Sequence, residues 1–519
     1  MKRSDVTPGH SPRPLKTHIA AALKTHFAAA LKAPLAAAVL GFGAMQAQAD
    51  TLWEVYLQAL DNDPQLAADR AAYHAGLEAK NLGRSALLPQ IQGTAEASKV
   101  RSDTDRVQSQ FNDDGTILVI PTTTKSDTDD RTYSVRLDQA IFDLPAWFGY
   151  KQGKKISEQA AAEFSANQQE MMLRVSVAYF DVLRAHDVLE AAIAEEEALA
   201  KQLEQTQQRF EVGLTAITDV YDSRAAYENA VARRLTAQDD LLSNFDALSV
   251  LTGGHHDSVA PLGGDFAVVA PDPIERSAWV DFALANNFDL KASRLAADAA
   301  GYSARAAAAE HLPTLTGSLN YQKYHSDGDL EIDSQTIPID TTQETKIAAI
   351  TLQVPIYTGG RLSASRREAR NLAFQAEDLS NLVERDTVQN TRTLHRAVVT
   401  DVSRVEARQQ AVIAARSALE ATQAGYEVGT RNIVDVLLAQ RTLAQSRTDY
   451  ANALYDYIQN TLDLKRTAGL LAPDDLQSLE NELNPASPIL RVAETAPTAP
   501  TLAPPAPPIR KDPPASPTK

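Results

Sequence analysis

Two kinds of pattern alternate along the chain. Residues 51–87, 147–208 and 361–424 read as helix, while four short runs alternate between a mainly apolar and a mainly polar face. Ile91, Gly93, Ala95 and Ala97 alternate with Gln90, Gln92, Thr94, Glu96 and Ser98, and Tyr133, Val135 and Leu137 with Ser134, Arg136 and Asp138. Later, Leu315, Gly317, Leu319 and Tyr321 face away from Thr316, Ser318, Asn320 and Gln322, and Ala348, Ile350, Leu352 and Val354 from Ala349, Thr351 and Gln353. The spacing predicts strands at about 89–100, 131–143, 313–324 and 346–357, bounded by Pro89, Pro313 and Pro355. The hydrophilic stretches 101–131 and 325–345 read as exposed loops.

The pattern occurs twice. Arg209-Phe-Glu-Val-Gly213-Leu-Thr-Ala-Ile-Thr-Asp219-Val220 returns as Gly425-Tyr426-Glu427-Val428-Gly429-Thr430-Arg431-Asn432-Ile433-Val434-Asp435-Val436, and Leu88-Pro89 as Leu312-Pro313. Gln139-Ala140-Ile141-Phe142 returns as Val354-Pro355-Ile356-Tyr357. Gly213 and Gly429 suit helix C-termini, where a left-handed residue closes the last turn. Asn432 can restart the second helix, with Asp435 completing a capping box; Ala216 makes a poorer cap in the first copy. Each copy is thus a helix–turn–helix tip. The protomer divides into two similar halves, 50–265 and 266–475, each running helix, strand, strand, long helix, turn, helix.

Helices of sixty residues span roughly 90 Å, more than a compact domain needs. They are rich in Ala and thin in large apolar residues, which suits a wall of helices wet on both sides better than a thick bundle. The polar faces of the strands carry Gln, Thr, Ser and Asn with few charges, as a wet lumen would. A soluble sheet could give the same alternation, but the long loops at one end favour a barrel in lipid. Four strands cannot close a barrel, and hydrocarbon tolerates no open edge, so several chains would contribute.

Composition narrows the choice. The 519 residues contain no cysteine and carry a net charge of −17, which excludes disulfide scaffolds and thiolate chemistry and argues against nucleic acid as a partner. Residues 1–49 resemble an export signal: six basic residues, an apolar run from Ala33 to Met45, then Ala47-Gln48-Ala49 as a small-x-small cleavage site. No later stretch has the 18 or so apolar residues of a membrane helix. Residues 476–519 read as a C-terminal tail, with eleven prolines from 485 onward and disorder expected there.

The doubled Val-Gly…Asp-Val tip, the Leu-Pro strand starts and the Ile-Tyr-Thr-Gly-Gly-Arg run at 356–361 resemble the TolC-like outer membrane efflux and secretion channels, over about 50–475. The resemblance implies a mostly helical chain with membrane strands, trimerising into a twelve-stranded β-barrel and a twelve-helix periplasmic tunnel. It also implies a periplasmic adaptor that meets the tips near Gly213 and Gly429, an ATP-driven or proton-driven pump in the inner membrane, and contact with outer-membrane lipid. A gate lock would join Arg431 to Asp219 and Thr218, with Tyr426 also reaching Asp219. Asp435 would form a pore ring of carboxylates; Leu438 stands where a second aspartate is usual, so one ring is lost.

The residues offer no catalytic constellation and imply no cofactor or metal. His255 and His256 follow Gly253-Gly254 without a third ligand and read as chance loop histidines, and His395 is alone on a helix. The function expected is a passive exit duct across the periplasm and outer membrane, gated at the helix tips and serving tripartite efflux, type I protein secretion or both. An autonomous diffusion porin and a periplasmic structural helical protein without a channel are the competing readings; a porin would need neither long tunnel helices nor a closable tip.

Overall fold

The computed structural model describes residues 49–491 apart from 112–114, 265 and 334. The predicted export signal, except Ala49, and the chain beyond Arg491 lie outside the described residues. Helices α1 (Leu52–Asn62) and α2 (Pro64–Ser85) lead into strands β1 (Gln90–Phe111) and β2 (Ile117–Phe142). Then come α3 (Leu144–Glu211), α4 (Ile217–Thr252) and the short β3 (Ser258–Val259). The order recurs in α5 (Arg276–Asn286), α6 (Phe288–Ala309), β4 (Thr314–Ile332), β5 (Gln335–Gln353), α7 (Arg361–Glu427) and α8 (Ile433–Thr467), followed by α9 (Pro473–Glu480) and β6 (Ile489–Leu490).

Matching joints begin the two halves. Pro64 breaks the first helical stretch, and the Asp63 carboxylate caps α2 by accepting from Gln65 N at 3.0 Å. Arg174 of α3 clamps the same carboxylate. Asn287 caps α6 through Leu290 N at 2.7 Å, while its amide donates to Thr467 O. Each joint therefore satisfies free N–H groups at a helix start and ties that helix to its neighbours.

The four long strands form one antiparallel sheet in the order β1-β2-β4-β5. Directly opposed residues of antiparallel strands share a face. The register sets Ile91 opposite Leu137, Gly93 opposite Val135 and Ala95 opposite Tyr133. It then sets Leu137 opposite Leu319, and Leu319 opposite Ala348. The four apolar series are consequently one continuous face, and it is uncovered: Ile91 is 70% exposed and Ile350 74%.

Strand length departs from expectation. The stretches read as loops are mostly strand, so the sheet continues well past the apolar band. There polar residues fill both faces until the apolar hairpin end at Val107, Phe111, Ile117 and Val119, and alternation no longer reveals a strand. Cross-strand pairs hold it instead: Lys99 and Arg101 with Asp127, Thr123 with Asp105, Ser326 with Asp130. At the other end β5 stops at Gln353, so Val354–Tyr357 lies outside the strand. Pro355 has no N–H to extend the ladder, and Ile356 and Tyr357 are exposed.

α3 is longer than expected at both ends and α7 at its C-terminal end, and 68 residues give α3 a length of about 100 Å. It packs on α2, α4, α6 and α8, and α7 packs on α5, α6 and α8. The large apolar side chains concentrate in one zone around the middle of α3: Tyr179, Phe180 and Leu183 meet Phe245 and Leu248 of α4 and Tyr455 and Ile458 of α8. Elsewhere Ala-rich contacts and surface ion pairs hold the helices together. The stretch from 476 to 491 is not a loose tail: Leu476 is fully buried, and β6 pairs with β3. The prolines at 485 and 488 precede that pairing without preventing it.

Candidate functional site

The far ends of α3 and α7 close alike. Gly213 and Gly429 adopt φ of 80° and 79°, the left-handed region that a Cβ disfavours. Leu214 N donates to Arg209 O at 2.8 Å and Gly213 N to Phe210 O at 2.9 Å. Thr430 N and Gly429 N repeat the pattern onto Gly425 O and Tyr426 O. These paired bonds satisfy carbonyls that a helix end leaves free.

The two restarts differ as their sequences predict. Asn432 Oδ1 accepts from Asp435 N at 2.8 Å, and the Asp435 carboxylate returns to Asn432 N, completing a capping box. Ala216 supplies no side-chain cap to α4. Thr215 helps there by bonding the Asp219 carboxylate across one turn.

Within the protomer the gate residues are near the tips but are not joined as the resemblance implies. Asp219 is engaged by Thr215, and Arg431 Nη1 lies 3.7 Å from Asp435 Oδ2. Tyr426 Oη is buried and has no hydrogen-bond partner. The Arg431–Asp219, Thr218 and Tyr426–Asp219 links are therefore absent from this arrangement. Asp435 is half-buried, held between its cap and Arg431, whereas Leu438 is 62% exposed. Around the turns Val212, Leu214 and Val428 are exposed apolar residues at 69–75%. Pro89 and Pro313 immediately precede β1 and β4, and Pro355 follows β5.

Other candidate chemistry resolves into structure. His256 is buried, its two ring nitrogens 2.7 Å from Asp50 Oδ2 and 2.7 Å from Thr252 Oγ1. It fastens the start of the described chain to the end of α4, a role its glycine-rich surroundings concealed. His395 Nε2 is 3.1 Å from Ile274 O and packs the linker before α5 onto α7. Among the described residues, His186, Asp187 and Glu190 of α3 are close enough together to hold a metal ion. Tyr455 already donates to Asp187 at 2.8 Å. Among the described residues no helix is long and apolar enough to cross a membrane, which says nothing about the sheet.

An uncovered apolar sheet, carried on long paired helices that end in two glycine turns, defines a class: the outer-membrane channel protomer with a periplasmic helical domain. The chain belongs to the outer membrane efflux protein family, whose model matches residues 55–254 and 279–470. It is 35% identical over 451 residues to the outer membrane protein TolC of Vibrio cholerae, covering 86% of this chain and 97% of that one. It is 33% identical to TolC of Escherichia coli, covering 86% and 87% of the two chains. The alkaline protease secretion protein AprF of Pseudomonas aeruginosa is 30% identical, with 82% and 86% covered. The outer membrane protein VceC of Vibrio cholerae superposes with a TM-score of 0.64 at 18% identity, over 80% of this chain and 96% of that one. Channels of this family are non-catalytic, and this one resides in the outer membrane and reaches into the periplasm.

Proposed function

We propose that three copies of this chain assemble into one gated conduit, the form in which it serves as an outer-membrane exit duct for efflux or secretion. The carrying observation is the sheet: its apolar face is uncovered, and β1 and β5 each pair on one side only. Unpaired edges in hydrocarbon cost several kcal/mol for each polar group, so neighbouring copies would supply the missing partners. Three copies give a twelve-stranded barrel facing outer-membrane lipid. Their long helices continue it across the periplasm as a tunnel.

The tips are the proposed gate and docking point. The exposed apolar residues beside Gly213 and Gly429 would receive a periplasmic adaptor, which links the duct to an ATP-driven or proton-driven pump in the inner membrane. Arg431, with its rigid fork of donors, suits bidentate capture of the Asp219 carboxylate when the tips of adjacent helix pairs close. Thr218 and Tyr426 would complete the lock, and Asp435 would ring the pore with carboxylates.

Single-channel recording in planar bilayers tests this reading. Arg431→Ser and Asp219→Ala should each raise the resting conductance, and the double variant should open little beyond the stronger single one, because the two groups act together. Tyr426→Phe should produce a smaller rise. Conductances that simply add, or that stay at the wild-type level throughout, would mean that these residues only shape helix ends.

A further inference from the structure

Among the described residues, no hydrogen bond or ion pair joins the first tip to the second, yet one side-chain contact does. The Arg209 guanidinium lies over the Tyr426 ring, Cζ 4.7 Å from its centroid. Each partner is fixed within its own tip. The Arg209 carbonyl accepts from Leu214 N beyond the Gly213 turn, and the Tyr426 carbonyl accepts from Gly429 N. The stack therefore connects the two glycine turns themselves rather than two loose side chains. Arg209 also occupies the last turn of α3, where a cation is favoured by the helix dipole.

The contact leaves two polar groups unsatisfied. Tyr426 Oη and Arg209 Nε are both buried without a hydrogen-bond partner. Such orphans are uncommon and call for a cause. Both can donate, and a guanidinium nearby makes their surroundings favourable to negative charge. We propose that Arg209 is the positioning residue of the tip: by stacking on Tyr426 it holds that ring between the two turns and keeps Oη available to a carboxylate acceptor. This rests on the tip being the gate. It adds a residue that the lock itself does not contain, acting through the ring face and not through an ion pair.

Bilayer conductance and chemical cross-linking together provide the test. A half-buried cation–π contact should shift the open-to-closed ratio by at least roughly two- to five-fold when Arg209→Ala removes it, with Arg209→Lys retaining part of the effect. The effect should shrink in a Tyr426→Phe background, which keeps the ring but loses Oη, and vanish in Tyr426→Leu, which has neither. Salt should weaken it less than it weakens the effect of Arg431→Ser, since a ring face carries no net charge to screen. The chain has no cysteine, so Arg209→Cys with Tyr426→Cys can be bridged selectively. A short dithiol-reactive linker should join them within one protomer. If Arg209→Ala adds the same increment with or without an aromatic ring at 426, or if cross-linking yields only interprotomer species, the proposal is overturned while the gate stands. If Arg431→Ser and Asp219→Ala are also silent, both readings fall together.

Discussion

At the scale of single residues, the buried phenols of the central zone are sensitive to alkali. Burial pushes Tyr179 well above the ordinary tyrosine range, with Glu480 adding to it; burial and then Asp187 do the same to Tyr455. A raised folded pKa means that the unfolded chain loses its proton first. The stability these groups contribute is complete below about pH 10, the unfolded value, and declines as pH rises toward the folded one. Thermal melts in detergent should therefore be flat to about pH 10 on this account and fall beyond it. Tyr455→Phe should flatten that fall, and an unchanged alkaline slope would remove Tyr455 from the explanation. Asp435 has two roles to separate, since it caps α8 as well as standing where the pore ring is proposed. Asp435→Asn keeps the capping acceptor and loses the charge. Cation selectivity and divalent-cation block should drop in bilayers while the melting temperature moves little; unaltered selectivity would put the constriction elsewhere. Leu438→Asp should strengthen the block by adding a second ring.

At the scale of elements, the approach of α2 to α3 depends on small residues. A Cβ at Gly153 would come within 2.3 Å of the Ala79 carbonyl oxygen, a backbone atom that cannot swing aside. Gly153→Val should force the helices apart next to the junction with the sheet and destabilise the protein by about 1–3 kcal/mol, as overpacking does. Lowered melting with a normal circular-dichroism spectrum is the expected result; an unchanged melt would mean that the pair has slack. The sequence disclosed these elements unevenly, for physical reasons. The glycine turns were legible because left-handed closure needs glycine, and the Asn432–Asp435 box because capping is local. The outer halves of the strands were not, because residues such as Thr123, Asp127 and Ser326 are polar whichever face they occupy. Arg209 and Tyr426 were visible as residues, but their contact spans more than two hundred positions and carries no local signature. His256 was hidden similarly, its partner Asp50 lying near the other end of the first half.

For the whole molecule, the two free sheet edges decide how the chain can exist. Extracted from membranes in mild detergent, it should be a trimer beginning at Asp50, with helix dominating its circular-dichroism signal. A monodisperse monomer under those conditions would contradict the shared barrel. The duplication limits the result further. With β2 already paired to β4, each copy offers one edge from its first half and one from its second. In the proposed trimer, closure would proceed head to tail, β1 of one copy meeting β5 of the next, as a heterologous ring requires.

The strands also reach further than a bilayer demands. At 19 to 26 residues they are about twice the 9–11 that cross the hydrocarbon. Their outer halves would stand above the membrane as a hydrogen-bonded palisade where many proteins have only slack loops. Proteases need slack chain, so this rim should resist nicking despite its exposure.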